Sequence, residues 1–302
     1  MNKKIIIGVI VVLLVVLGIY YLVNTSKSVM VTNTQTVSSS TAENLGTPTT
    51  EPVNKEMTVI GKSVEGRDIT AYHYGAGEKE VLFVGGVHGG YAWNTVAVAY
   101  KAMEYLKANP SVIPANVRVT IIPVVNTDGL FKVVGTTTAN FTKANVSASE
   151  AIQTAGRFNG NNVDLNRNFD CDWQASATWQ TKAVSGGTAA FSEPESLAVK
   201  NYIETLKPVA VVVWYSAAGG VFSSSCHNGV LAETNALTNT FAKASGYPAF
   251  EEFNYYEITG DMVNWLAKNK VPAISVLLTN HTDVEWSKNQ AGILAVLKYI
   301  AK

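Results

Sequence analysis

Two stretches limit the possible fold more than any others: "VAVVVWY" (209–215) and "PAISVLL" (272–278). Each is apolar almost throughout, the pattern of a strand covered on both faces rather than one. Strands of that kind need helices above and below them. The sequence supplies the candidates, with helix-like stretches at 95–106, 195–206, 231–244, 261–267 and 290–300. Further strand-like stretches fall at 58–60, 69–74, 81–85 and 117–123. Strands alternating with helices predict one α/β domain over residues 57–302, built on a mostly parallel or mixed sheet. Sites in such sheets gather beyond the carboxyl ends of strands. His88, Tyr215 and Leu277 all lie near such ends.

The residues before 57 read differently. "MNKK" (1–4) precedes the apolar run "IIIGVIVVLLVVLGIYYLV" (5–23). Roughly 19 residues at about 1.5 Å each span about 28 Å, close to the bilayer's hydrocarbon thickness. With Lys3 and Lys4 before it, an aromatic pair at its end and no small-residue cleavage pattern, the run predicts a single-pass anchor. Its N-terminus would be cytoplasmic and the following domain extracytoplasmic. A cleaved signal peptide is the alternative, with the same outcome for the domain. Residues 24–56, rich in Ser and Thr and without a helical or strand period, predict a flexible linker.

Composition narrows the function classes. Lys plus Arg and Asp plus Glu number 23 each in 302 residues, so no net charge draws the chain to nucleic acid. Two cysteines, Cys171 and Cys226, exclude a cysteine-rich metal module, and the sequence leaves open whether they pair.

Three short motifs carry chemistry. "VLFVGGVHGGYAWNT" (81–95) reads as a buried strand, a glycine turn, the lone His88 and the start of a helix, with no carboxylate until Glu104. That is either a metal ligand presented at a strand end or a hydrogen-bonded turn residue. "DLNRNFD" (164–170) sets Arg167 between two asparagines, a grouping suited to gripping a carboxylate. In "FSEPES" (191–196), Ser192 and Glu195 fit a capping box with Pro194 in the first helical turn. That reading is preferred to a functional Glu193–Glu195 pair.

Together with "IGKSVEGRDITAYHYGAG", "TGDMVNWL" and "VPAISVLLTN", these motifs follow one order over residues 57–302. In that order the domain resembles the zinc metallocarboxypeptidases, of the carboxypeptidase A and γ-D-glutamyl-diamino-acid peptidase type. The resemblance implies one α/β domain with a mixed, roughly eight-stranded twisted sheet flanked by helices. It also implies a zinc cofactor and cleavage of C-terminal residues from peptides. His88 matches the first zinc ligand. The second ligand, a glutamate, falls at Ala92; the third, a histidine, at Tyr215; the glutamate general base, at Leu277. By the same resemblance Asn166 and Arg167 grip the substrate's terminal carboxylate. Tyr256 is the tyrosine over the substrate, and Arg157 the second arginine. Val263 falls where side-chain preference is set and hints at neutral or apolar C-terminal groups.

Catalytic zinc needs three protein ligands and a bound water, and one imidazole does not replace three. Leu277 accepts no proton, so the water also lacks its base. The combination predicts a membrane-anchored, extracytoplasmic, catalytically inactive carboxypeptidase-like protein without bound zinc. It would recognise the C-terminal carboxylate of a peptide or cell-wall stem peptide. Two alternatives stand beside it: an active zinc enzyme with other ligands, for which His227 is the candidate, and a scaffold with a vestigial pocket. His73 and His281 have no metal partner at useful spacing.

Overall fold

The computed structural model describes residues 56–302. The run at 5–23 and all but the last residue of 24–56 lie outside the described residues. Among the described residues no helix is long and apolar enough to cross a membrane.

The strands are β1 (Met57–Lys62), β2 (Asp68–Gly75), β3 (Lys79–Val84), β4 (Val117–Ile122), β5 (Ser176–Trp179), β6 (Lys182–Ser185), β7 (Ala210–Ser216), β8 (Gly220–Ser223), β9 (Ala249–Phe250) and β10 (Ala273–Leu278). The α-helices are α1 (Trp93–Ala108), α2 (Thr127–Val134), α3 (Glu150–Ala155), α4 (Pro194–Leu206), α5 (Ala232–Ser245), α6 (Met262–Lys268) and α7 (Trp286–Ile300). Eight strands form one mixed sheet in the order β1-β2-β4-β3-β7-β10-β8-β9. The four central strands β4, β3, β7 and β10 are parallel, and antiparallel pairs flank them. The remaining two strands make a separate hairpin, β5–β6.

Alternation along the central strands divides the core into two layers. On β7, Ala210, Val212 and Trp214 point to the layer shared with α1, α5 and α7, while Val211, Val213 and Tyr215 point to that of α4 and α6. On β10, Ile274, Val276 and Leu278 take the first layer, and Ala273 and Leu277 the second. The parallel register sets Leu277 directly beside Tyr215. The two positions expected from the resemblance to carry a ligand and the base are thus neighbours on one sheet face.

Several expectations are corrected. The sequence reading missed the short strands β5, β6, β8 and β9, each of two to four residues, which carry too few positions to show a period. It also missed α2 and α3. Helix α2 contains Gly129, where a Cβ would lie 2.2 Å from the Gly156 carbonyl oxygen, so close packing rather than propensity fixes that residue. The capping box at Ser192 does not form. Glu193 is the N-cap of α4 without a side-chain cap, Pro194 opens the helix, and Ser192 Oγ donates to Glu193 Oε1. Glu195 instead accepts from the Val64 amide and from Asn159, whose Nδ2 also donates to Glu193. These carboxylates hold loops together in the interior. Cys171 and Cys226, left open by the sequence, are joined by a disulfide, with Cα atoms 6.3 Å apart.

Candidate functional site

A cavity of about 830 Å³ opens beyond the carboxyl ends of β7 and β10. His88, Arg157, Asn166, Arg167, Tyr215, Tyr256 and Leu277 all line it. Residues spread over some 190 positions of sequence therefore meet at one place. Ala92 does not line the cavity; it is buried in the 3-10 turn Gly89–Ala92 that leads into α1.

His88 is held by backbone geometry. After β3 the chain turns through Gly86, whose amide donates to Thr95 Oγ1, and Gly89, whose amide donates back to the Gly86 carbonyl. Gly89 has φ +47°, and a Cβ there would lie 2.6 Å from the Gly156 carbonyl oxygen. Only glycine fits both constraints. The imidazole is buried, and neither ring nitrogen has a hydrogen-bond partner among the described residues. Its nearest acid is Asp164, whose Oδ1 is 3.6 Å from Nε2, too long for a hydrogen bond. Burial, followed by the nearby Arg157 guanidinium, lowers the His88 pKa to about 4, so the ring is neutral at pH 7.

The sequence reading overlooked Asp164, although the residue opens "DLNRNFD". It is wholly buried and anchors two of the residues that line the cavity. Its Oδ2 accepts from Arg157 Nε at 2.8 Å, and its Oδ1 from the Asn166 amide at 3.1 Å. Burial alone would raise this carboxyl, but the Arg157 guanidinium, followed by that of Arg167, holds it well below the usual carboxylate range. Arg157 also stacks on Trp179 of the hairpin, Cζ to ring centroid 4.4 Å, with Tyr91 at 5.7 Å. The hairpin thereby belongs to the site, with no sequence signal to announce it.

Asn166 and Arg167 sit in one turn of 3-10 helix capped by Asp164. Arg167 donates Nε–H to the Thr178 carbonyl and Nη1–H to the Asn166 carbonyl, while its buried Nη2 has no partner among the described residues. Asn166 Oδ1 accepts from Tyr215 Oη at 2.8 Å and from the Met262 amide at 3.3 Å. Its Nδ2 is therefore the group left to donate into the cavity. Gly260, at φ +64°, packs so closely on Arg167 that a Cβ would lie 2.4 Å from the carbonyl oxygen. The Tyr256 ring centroid lies 6.0 Å from Arg167 Cζ, at the mouth.

The zinc fit is poor on donor chemistry. Beside His88, ring centroids 5.4 Å apart, stands Tyr215. Its phenol is pushed far above its ordinary pKa by burial and by the Asp261 carboxylate, and its proton goes to Asn166. A neutral phenol already used as a donor is a weak ligand. Leu277, its neighbour in register, and the buried Ala92 offer nothing. Among the described residues the one grouping of metal-capable side chains is Cys171, Asp172 and Cys226, outside the cavity. His227 is exposed, bonded to Asp172 and absent from the cavity lining, so it does not substitute for the missing ligands.

The other histidines also separate. His73 bridges Thr58 and Thr120 on the sheet. His281 does line the cavity, its ring 4.5 Å from Tyr91, where burial and Arg157 lower its pKa. Val263 lines the cavity as its position suggests, but so do Asp261, Asn264, Ser223, Ser225 and Ser275. That end is mostly polar, against the apolar hint of Val263 alone. Asp261 caps α6 through the Asn264 amide, and burial raises its pKa to about 6.

The zinc carboxypeptidase sequence profile matches residues 47–272. The chain belongs to the zinc carboxypeptidase family. Carboxypeptidase Z of mouse is 27% identical over 173 residues, 49% of this chain and 24% of that protein, and the rat protein matches equally. The match thus spans about a quarter of the length of these curated relatives. Murein-tripeptide amidase MpaA from Escherichia coli O157 superposes with a TM-score of 0.56 at 19% identity, covering 82% of this chain and 92% of its own. Carboxypeptidase A from Helicoverpa armigera gives 0.60 at 19% identity, covering 81% and 68%. Bovine thrombin-activatable fibrinolysis inhibitor gives 0.63 at 16% identity, covering 81% and 90%. At these identities the likeness is one of fold. The profile match stops at Pro272, short of Leu277, whose equivalence to the family base rests on the sequence resemblance alone.

Proposed function

We propose that this protein binds peptides by their C-terminal carboxylate and does not cleave them. The observation that carries this reading is the division within one cavity. Asn166 and Arg167 keep unused donors beside Arg157, whereas Tyr215 and Leu277, at the positions that the resemblance assigns to the third ligand and the base, line the same cavity without supplying either group. A carboxylate entering the cavity meets two guanidinium groups and the Asn166 amide in a site largely shielded from water. Charge-assisted hydrogen bonds of that kind are strong and directional. Tyr215 supports the grip, because its hydroxyl fixes the Asn166 side chain from behind. The donors present do not fit zinc, and the position that the resemblance assigns to the general base holds Leu277 rather than a carboxylate.

The mostly polar far end suits a residue with hydrogen-bonding side-chain groups. Since the fold neighbour MpaA is named for murein tripeptides, stem peptides are the first ligands to test. The apolar run at 5–23 supports a tethered, extracytoplasmic version of this reading. Calorimetric titration of the purified protein compares a peptide bearing a free C-terminal carboxylate with its C-terminal amide. The free acid should bind about tenfold or more tightly, and Arg167→Ala should erase that difference. Equal binding of acid and amide, or an unchanged preference in Arg167→Ala, defeats the proposal.

A further inference from the structure

The surface cluster at the disulfide has the make-up of a second, redox-controlled metal site. Two adjacent pairs face each other across the fold: Cys171–Asp172 after the Arg167 turn, and Cys226–His227 after β8. Cys171 Sγ, Cys226 Sγ and a carboxylate oxygen of Asp172 all lie within 4.8 Å of one another. Asp172 bridges the two halves: its Oδ2 is 3.7 Å from Cys171 Sγ, and its Oδ1 is 2.7 Å from His227 Nε2. The Asp172 and His227 side chains are 49% and 71% exposed, so the cluster opens to solvent, whereas the cysteines lie just beneath.

We propose that reduction of the Cys171–Cys226 disulfide converts this cluster into a tetrahedral zinc site with Cys171, Cys226, Asp172 and His227 as ligands. Four donors of Cys, Cys, His and Asp type make a closed structural zinc set, and the soft thiolates favour zinc over magnesium or calcium. At about 2.3 Å per Zn–S bond, tetrahedral thiolates sit about 3.8 Å apart. The two cysteines reach that spacing by side-chain rotation once their bond is broken, their Cα atoms being 6.3 Å apart. Asp172 already lies within reach of both halves, so the metal replaces the His227–Asp172 contact with two bonds to itself.

The chemistry balances with an external thiol as reductant. Two thiol groups of the reductant deliver two electrons and two protons by thiol–disulfide exchange, leaving the reductant as a disulfide and the protein with two thiols. Zinc binding then displaces the two thiol protons to solvent, and neutral His227 donates its ring nitrogen. The two loops stay cross-linked in either state, by sulfur–sulfur bond or by metal. This site is independent of the cavity and of the reading given to it.

The test uses cobalt(II), then zinc, on the full chain with and without a phosphine reductant, which offers no competing thiol. The reduced protein should take up one equivalent of cobalt with a thiolate-to-cobalt charge-transfer band in the near ultraviolet, and zinc should abolish that band. The oxidised protein should give no such band. His227→Ala and Asp172→Asn, which spare the disulfide, should each weaken zinc binding by the reduced protein about tenfold or more. His88→Ala should leave it unchanged, separating the cluster from the cavity. A reduced protein that keeps its far-ultraviolet circular dichroism yet gives no band overturns the proposal. So does a band that neither variant weakens, or a reduced protein that unfolds and does not recover with zinc.

Discussion

At the level of single residues, the positions that the resemblance assigns to zinc ligands differ in character. Tyr215 is not merely a lost histidine, because its hydroxyl holds Asn166 Oδ1 at 2.8 Å. Tyr215→Phe removes one buried hydrogen bond and leaves the Met262 amide as the sole partner of that oxygen. We expect a stability loss of about 1 kcal/mol by urea denaturation, with carboxylate binding weakened several-fold as Asn166 loses its orientation. His88 carries a pH signature. Its pKa is about 4 folded, against 6.5 for the free side chain, so the unfolded chain binds the extra proton between those values. Stability from this group is present above pH 6.5 and is lost as pH falls toward 4, on the order of 2–3 kcal/mol. Asp261 runs the other way: raised to about 6, it costs stability as pH rises from 3.8 through 6. The two partly cancel in the wild type. The difference between wild type and His88→Asn, followed by thermal melting from pH 7 to pH 4, should therefore isolate the histidine and shrink toward acid.

Secondary-structure elements place these residues, and the legibility of the strands in the sequence followed their length. Strands β7 and β10 showed themselves because burial on both faces leaves a continuous apolar run, and β3 and β4 through shorter apolar stretches. The hairpin β5–β6 and strands β8 and β9 did not, since strands of two to four residues take their conformation from partners rather than from local pattern. The hairpin nonetheless brings Trp179 against Arg157, so a part of the site hid in an illegible element. Ser192 and Glu195 taught the reverse lesson. Their spacing fits a capping box, yet buried Asn159 and the Val64 amide claim the carboxylate instead, a long-range competition that no local spacing records. The turn after β3 is the element-scale test of how His88 is presented. Gly89→Ala forces a Cβ against the Gly156 carbonyl at φ +47°. The expected loss is about 2 kcal/mol or more, read as a lower urea midpoint with an unchanged slope.

The whole molecule decides why three changes belong together. Ala92, Tyr215 and Leu277 come from the turn before α1, the end of β7 and the end of β10. Introducing one carboxylate alone, Leu277→Glu, puts a charge beside the Tyr215 phenol at a position 7% exposed, where burial opposes ionisation. That variant should lose roughly 3 kcal/mol or more, or titrate with a strongly raised pKa. The triple variant Ala92→Glu, Tyr215→His, Leu277→Glu should instead be stabilised by added zinc and bind it stoichiometrically by elemental analysis, which the parent should not. Zinc bound tightly in the parent would refute the reading of a lost site.

By itself the sequence determined the α/β class, the sheet's central strands and the family, because these are carried by apolar strand patterns and by motifs of fixed order. It did not determine that Asp164 pins Arg157, that Tyr215 holds Asn166, that Trp179 and His281 enter the cavity, or that Cys171 and Cys226 pair. Each of those is a contact between segments far apart along the chain. Such contacts depend on the register and layering of the folded sheet, and no local pattern encodes them.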